Sequence, residues 1–242
     1  LGVASVAPEV TLVGVKVLDD MGCASFANLI AGIMYATDVA DVDIINLSVG
    51  GTGSIEEMEV LSEMLHAAVD YAERNGVIVV AAAGNETLDL QSGAARNFVV
   101  TDEAGTILVS ATAPSMEPGI ESIACYSNYG NGIVGLAAPG GSIDCADGAY
   151  ASMSDMVLSA MAPAVARRLG LKNPEGWYMF SAGTSMAAPI VSGVAALVKS
   201  ANPGMDAAGV CDKLKASADD LGTPGPDQQF GSGRVNAASA VR

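Results

Sequence analysis

A chain of 242 residues, 50% hydrophobic and 16% charged, has ample apolar material for one α/β domain and is too apolar for a disordered segment. Eleven basic residues against 27 acidic ones leave a net charge of −16, which excludes binding nucleic acid or an anionic membrane by charge neutralisation. A single histidine, His66, excludes a His-rich metal site. The four cysteines (Cys23, Cys125, Cys145 and Cys211) form no C-x-x-C pair for zinc or thioredoxin-like redox chemistry. They suit an exported protein with up to two disulfides, or simply buried thiols.

Short β-branched runs alternate with stretches of helical periodicity, the pattern of βαβ units around a parallel sheet. Residues 10–18 (VTLVGVKVL) predict a strand closed by Asp19-Asp20. Residues 25–38 predict a helix with Ser25 as N-cap. Residues 43–49 (DIINLSV) predict a strand stopped by Gly50-Gly51. A helix is expected over 54–75, with Glu56 and Glu57 at its positive end and Asn75-Gly76 as its stop. Residues 77–83 (VIVVAAA) read as a central strand buried on both faces. Further strands are predicted at 106–111 and 133–137, the second closed by Pro139-Gly140-Gly141.

The stretch 142–176 is of mixed character, with a helix expected over 153–169 and a turn at Asn173-Pro174-Glu175-Gly176. Helices follow at 185–201, rich in small residues, at 206–217 and at 235–241. The longest charge-free window, 176–198, is interrupted by Ser181, Gly183, Thr184, Ser185, Pro189 and Gly193, so it reads as core and no membrane span is expected. With no internal repeat or linker, residues 1–242 read as one domain. No signal peptide opens the chain, and Leu1 leads straight into LGVASVAP, as the interior of a longer gene product would.

Two segments carry chemistry: AAAGN (81–85) at the end of a buried strand, and GTSMAAP (183–189) at the start of a small-residue helix. Singly they are a turn and an N-cap. Together with VAPEVTLVGVKVL, DIINLSVGG, LAAPGG and FGSGRVNAASAV, in order along the chain, they resemble the subtilisin-like serine proteases, the subtilases. The resemblance implies a three-layer α/β fold with a mostly parallel sheet between helices, here lacking its N-terminal strands. It implies a serine endopeptidase with Ser185 as nucleophile, Asn85 as oxyanion donor and Thr184 as support for the same oxygen. The physics of these residue types agrees. A serine at a helix start places its own N–H among the unpaired donors at the positive end of the macrodipole, and an asparagine on a rigid strand end supplies a second donor.

By the same resemblance, a polypeptide substrate lies extended against Ser48, Val49 and Gly50. Ala82, Ala83 and Gly84 wall the pocket for the side chain before the scissile bond, leaving room for a large apolar group. The family's Asp-x-Gly and His-Gly-Thr-His segments match nothing here and are expected upstream of Leu1, so this chain alone should show negligible peptidase activity. It should also be poorly stable, because the Asp-bearing strand lies inside the sheet, between the strands matched by 10–18 and 43–49. The resemblance further implies secretion, an N-terminal propeptide, no catalytic cofactor, and a structural calcium of which LGVASVAP would be the tail. Ile190 stands where many members carry histidine, and 142–176 is longer than in the compact members. Cys125 and Cys145, flanking the last sheet strand, are the first pair to expect as a disulfide, with the other pairings open.

Several competing motifs fail on context. GNGIVG (130–135) precedes a strand instead of opening a helix, so it is no dinucleotide site. The sequons at Asn46 and Asn85 would put a glycan in the cleft. No G-x-S-x-G surrounds Ser185, against an α/β-hydrolase. His66, inside a predicted helix, reads as a surface residue and not as the base. The alternative to a protease is a non-catalytic pseudoprotease that binds extended peptides in the same cleft; a plain Rossmann-like domain would lack any phosphate-binding motif.

Overall fold

The computed structural model describes residues 3–49, 55–91, 106–115, 121–145, 152–168, 170–172 and 177–242. Its centre is a sheet of five strands: β1 (Ile44–Leu47), β2 (Ile78–Ala82), β3 (Thr106–Pro114), β4 (Glu121–Ile123) and β5 (Leu136–Pro139). The pairs β1–β2, β2–β3 and β3–β5 are parallel, and β4 joins β3 antiparallel.

Helices α1 (Phe26–Asp38) and α2 (Ile55–Arg74) cover one face, and α4 (Thr184–Ala201), α5 (Ala207–Ala216) and α6 (Ala237–Ala240) the other. The strand period of two makes this division. Ile78 and Val80 of β2 pack toward α4 and α5, while Val79 and Ala81 pack toward α1 and α2. With both faces covered, β2 is apolar throughout and β3 is buried from Thr106 to Ala113, as expected for central parallel strands. The result is the three-layer α/β architecture expected from the sequence.

The caps follow the local chemistry. Ser25 Oγ accepts from the Asn28 N–H and starts α1, and Asp206 does the same for α5 through Gly209. α2 stops at Gly76, whose φ of +83° lets the N–H groups of Gly76 and Val77 return to Glu73 and Ala72. Cys125 and Cys145 form a disulfide, which neither Cys23 nor Cys211 does. By length and composition alone α4 is apolar enough to cross a membrane, but it packs here as the helix central to its layer.

Three expectations need correction. Residues 11–17 are not a strand: Leu12 is 89% exposed, and only Val15 and Val17 pack inward, over α1. A strand needs a ladder partner, and among the described residues β1 pairs with β2 alone. The predicted strand at 133–137 begins later, because Ile133 and Val134 turn back to the Gly130 carbonyl before β5 starts at Leu136.

The helix expected over 153–169 is instead a short 3-10 turn (Met153–Asp155), then strand β6 (Val157–Met161), then a helix of six residues, α3 (Pro163–Arg168). β6 pairs with β7 (Trp177–Ser181), which the sequence reading missed. Pro163 disfavours helical backbone at Ala162, so the chain is extended before it and helical only after it.

Candidate active site at the carboxyl ends of the parallel strands

The residues singled out in the sequence meet where β1 and β2 end and α4 begins. This is the edge of an α/β sheet at which ligands are usually bound. The N-cap of α4 is Gly183, which carries no capping side chain. Its φ of +151° favours glycine, and a Cβ there would sit against the Asn85 carboxamide, 3.5 Å from Oδ1. Asn85 itself supplies the missing cap across 99 residues. Its Oδ1 accepts from the Thr184 N–H at 2.8 Å and from the Thr184 hydroxyl at 3.1 Å.

That contact sets the orientation of the amide. A backbone N–H can only donate, so the end of Asn85 facing Thr184 must be its oxygen, and Nδ2 must face away. Among the described residues no acceptor takes Nδ2, and Asn85 is exposed. Thr184 is fully buried, and its Oγ1 also accepts from the Gly84 N–H at 3.0 Å. One hydroxyl thus ties the strand end to the helix start.

Ser185, half-buried, lies one residue further into α4. Its N–H belongs to the first helical turn and has no intrahelical acceptor. Its C=O is equally without a helical partner, because the residue four positions on is Pro189, which has no N–H. Ser48 fills that gap, its hydroxyl donating to the Ser185 carbonyl at 2.9 Å. In return the Ser185 hydroxyl donates to the Ser48 carbonyl at 3.3 Å.

A polar chain continues from there. Asn46 Nδ2 donates to Ser48 Oγ at 2.8 Å, and Ser192 Oγ donates to Asn46 Oδ1 at 3.0 Å. Sequence reasoning weighed Asn46 only as a sequon and passed over Ser192. The signal available was the spacing of Pro189 from Ser185, which frees a carbonyl and so demands a donor from elsewhere.

The remaining expected site residues are placed as follows. Val49 is partly buried against the α1/α2 core, and Gly50 lies outside the described residues. Ala82 packs toward α4, whereas Ala83 is buried on the opposite side, so what these two residues and Gly84 offer in common to a ligand is main chain. His66 sits on α2, across the sheet from α4 and Ser185. A hollow of about 350 Å³ lies elsewhere along α4, lined by Val6, Ile190, Val194, Asp219 and Arg234. Val3 to Pro8 carry no carboxylate, so a structural calcium at this segment would have to be held there by backbone carbonyls.

The profile of the Subtilase family matches residues 1–233. Alkaline elastase YaB of Bacillus sp. (strain YaB) is 34% identical over 244 residues, a match that takes in 100% of this chain and 51% of that protein. Subtilisin DY of Bacillus licheniformis is 30% identical over 241 residues, covering 100% of this chain and 72% of that protein. This chain thus spans from about half to just under three quarters of the length of these relatives. The crystal structure of a lanthipeptide protease superimposes with a TM-score of 0.77 at 30% identity, over 98% of this chain and 71% of that one. Sequence, fold and the meeting of the two diagnostic segments agree: the chain belongs to the subtilase family of serine proteases.

Proposed function

We propose that this chain carries the nucleophile and the oxyanion donors of a serine endopeptidase, Ser185 attacking the scissile carbonyl of a polypeptide. The carbonyl oxygen would take up its developing charge between the Ser185 N–H and Asn85 Nδ2, and the ester formed on Ser185 would then be hydrolysed. The observation that carries this reading is the pinning of Asn85 Oδ1 by Thr184, which turns the NH2 end outward next to the start of α4. Thr184 acts in this reading by orienting Asn85, its own hydroxyl being already engaged.

The base is proposed to come from outside these 242 residues, as a histidine oriented by an aspartate. The chain's one histidine, His66, lies in the wrong layer. Without that base nothing takes the proton of the Ser185 hydroxyl as it attacks, and these residues alone should be inactive. An extended substrate would pair with the main chain of Ser48, Val49 and Gly50, which follow the carboxyl end of β1. The main chain of Ala82, Ala83 and Gly84 would wall a pocket suited to a large apolar side chain. The chemistry needs no cofactor. Export, with a propeptide in the full-length protein, is proposed from the family resemblance and from the disulfide.

The test treats the full-length protein with a fluorophosphonate probe and measures peptide hydrolysis. Ser185→Ala should abolish labelling. Asn85→Ala should lower kcat by about 10² to 10³ with little change in KM, as known for loss of such a donor in a subtilisin. Labelling that survives Ser185→Ala would sink the assignment. Tight binding of an extended peptide with neither labelling nor turnover would identify a pseudoprotease instead.

A further inference from the structure

Asn128 follows β4 and is not bonded to Ser185 or β1, yet the hydrogen-bonding capacity of its side chain is spent wholly around Asn85. It is fully buried. Its Oδ1 accepts from the Glu86 N–H at 3.1 Å and the Leu88 N–H at 2.9 Å. Its Nδ2 donates to the Ala83 carbonyl at 2.9 Å and to Glu86 Oε2 at 2.6 Å. Its own N–H donates to the Gly84 carbonyl at 3.0 Å. Both flanks of Asn85 are therefore bolted to one buried carboxamide. The contact is close enough that a Cβ on Gly84 (φ +98°) would collide with the Asn128 amide.

The next residue along the loop shows the same constraint. Thr87 is β-branched yet sits at φ +58°, a conformation such residues avoid unless their surroundings hold them there. Its N–H donates to Tyr126 O at 3.0 Å and its hydroxyl to Cys125 O at 2.8 Å. The Cys125–Cys145 disulfide anchors that bracing segment in turn. From Cys125 to Asn128, then, one short stretch shapes the 83–88 loop from behind, while Thr184 holds Asn85 from in front.

We propose that Asn128 is a positioning residue for the reaction, fixing the loop so that the Asn85 carboxamide arrives at the start of α4 with Nδ2 facing the substrate carbonyl. This rests on the oxyanion role proposed for Asn85. A preorganised donor acts only while it is held in place, so loosening the loop weakens transition-state binding more than substrate binding.

The test is a double-mutant cycle in the full-length protein. Asn128→Ala should lower kcat about tenfold or more and leave KM within about twofold; in an Asn85→Ala background the same change should lower kcat less than about twofold. Asn128→Asp, isosteric and still accepting from the Glu86 and Leu88 N–H groups, turns an oxygen toward the Ala83 carbonyl and the Glu86 carboxylate, so it should lower kcat and stability together. Equal losses from Asn128→Ala in both backgrounds would overturn the positioning role and leave the oxyanion role of Asn85 standing. An undiminished kcat in Asn85→Ala would remove both. Should the Asn128 variants fail to fold, amide exchange in the unsubstituted protein decides. The Glu86 and Leu88 amides should exchange as slowly as those of β3, and fast exchange there would overturn the proposal.

Discussion

Thr184→Val separates the hydroxyl of Thr184 from its shape. The side chain is fully buried, and valine fills nearly the same volume, so packing around the start of α4 should persist. Two hydrogen bonds disappear: the one the hydroxyl accepts from the Gly84 N–H at 3.0 Å and the one it donates to Asn85 Oδ1 at 3.1 Å. The second loss is partly covered, because the Thr184 N–H still holds Asn85 Oδ1 at 2.8 Å. The first is not covered, since Gly84 is half-buried and its N–H is left with no acceptor.

A net hydrogen bond contributes about 1 kcal/mol and a stranded buried donor costs about 1–3 kcal/mol, which puts the loss of stability at about 2–3 kcal/mol. At this chain length that corresponds to a fall in Tm of roughly 5–10 °C. Thr184→Ser keeps the hydroxyl and should recover most of it. Calorimetric unfolding of the three proteins reads the stability, and kcat in the full-length protein reads the alignment of Asn85. A valine variant within about 0.5 kcal/mol of the parent would refute the claim that this hydroxyl ties strand to helix.

Ser48→Ala should cost about 1–2 kcal/mol by stranding the Ser185 carbonyl, and Pro189→Ala, which restores an N–H four residues on, should win part of that back. Urea unfolding of the single and double variants would detect the coupling, and strict additivity would contradict it. Replacing Cys125 and Cys145 by alanine opens a link across a sequence separation of 20 and should lower stability by about 3 kcal/mol, read from the urea midpoint.

Asp219 accepts hydrogen bonds from Arg234 Nη2 and Asn236 Nδ2, both at 2.8 Å, and Arg234 first and Asn236 second hold its carboxyl below its ordinary value of 3.8. The unfolded chain therefore takes up this proton at a higher pH than the folded one. The contribution of Asp219 is complete above about pH 4 to 5 and is lost as pH falls through the lowered folded value. Asp219→Asn should flatten the acid limb of a stability profile between about pH 5 and 2, and an unchanged limb would refute the assignment.

The separate readability of elements follows from what each depends on. α1, with Ser25 as its cap, α2, with Gly76 as its stop, and the all-apolar β2 were legible because residues within a few positions decide them. Residues 11–17 and the β6–β7 hairpin were not. A β-branched run becomes a strand only if a ladder partner lies alongside, and periodicity does not report partners. The disulfide was legible because its two cysteines flank one strand closely in sequence.

Composition and periodicity sufficed for an α/β domain, and the resemblance carried by six segments in order along the chain implied the layers, the family, and Ser185 and Asn85 as the residues to watch. The third dimension decided how they are held. Thr184 turns the Asn85 amide, Ser48 takes up the carbonyl that Pro189 leaves free, Asn128 braces the loop from behind, and His66 falls on the far side of the sheet. Local interactions are written in neighbouring residues, whereas a hydrogen bond such as the one from Ser48 to Ser185, 137 positions apart, exists only once the parallel strands have brought their carboxyl ends together.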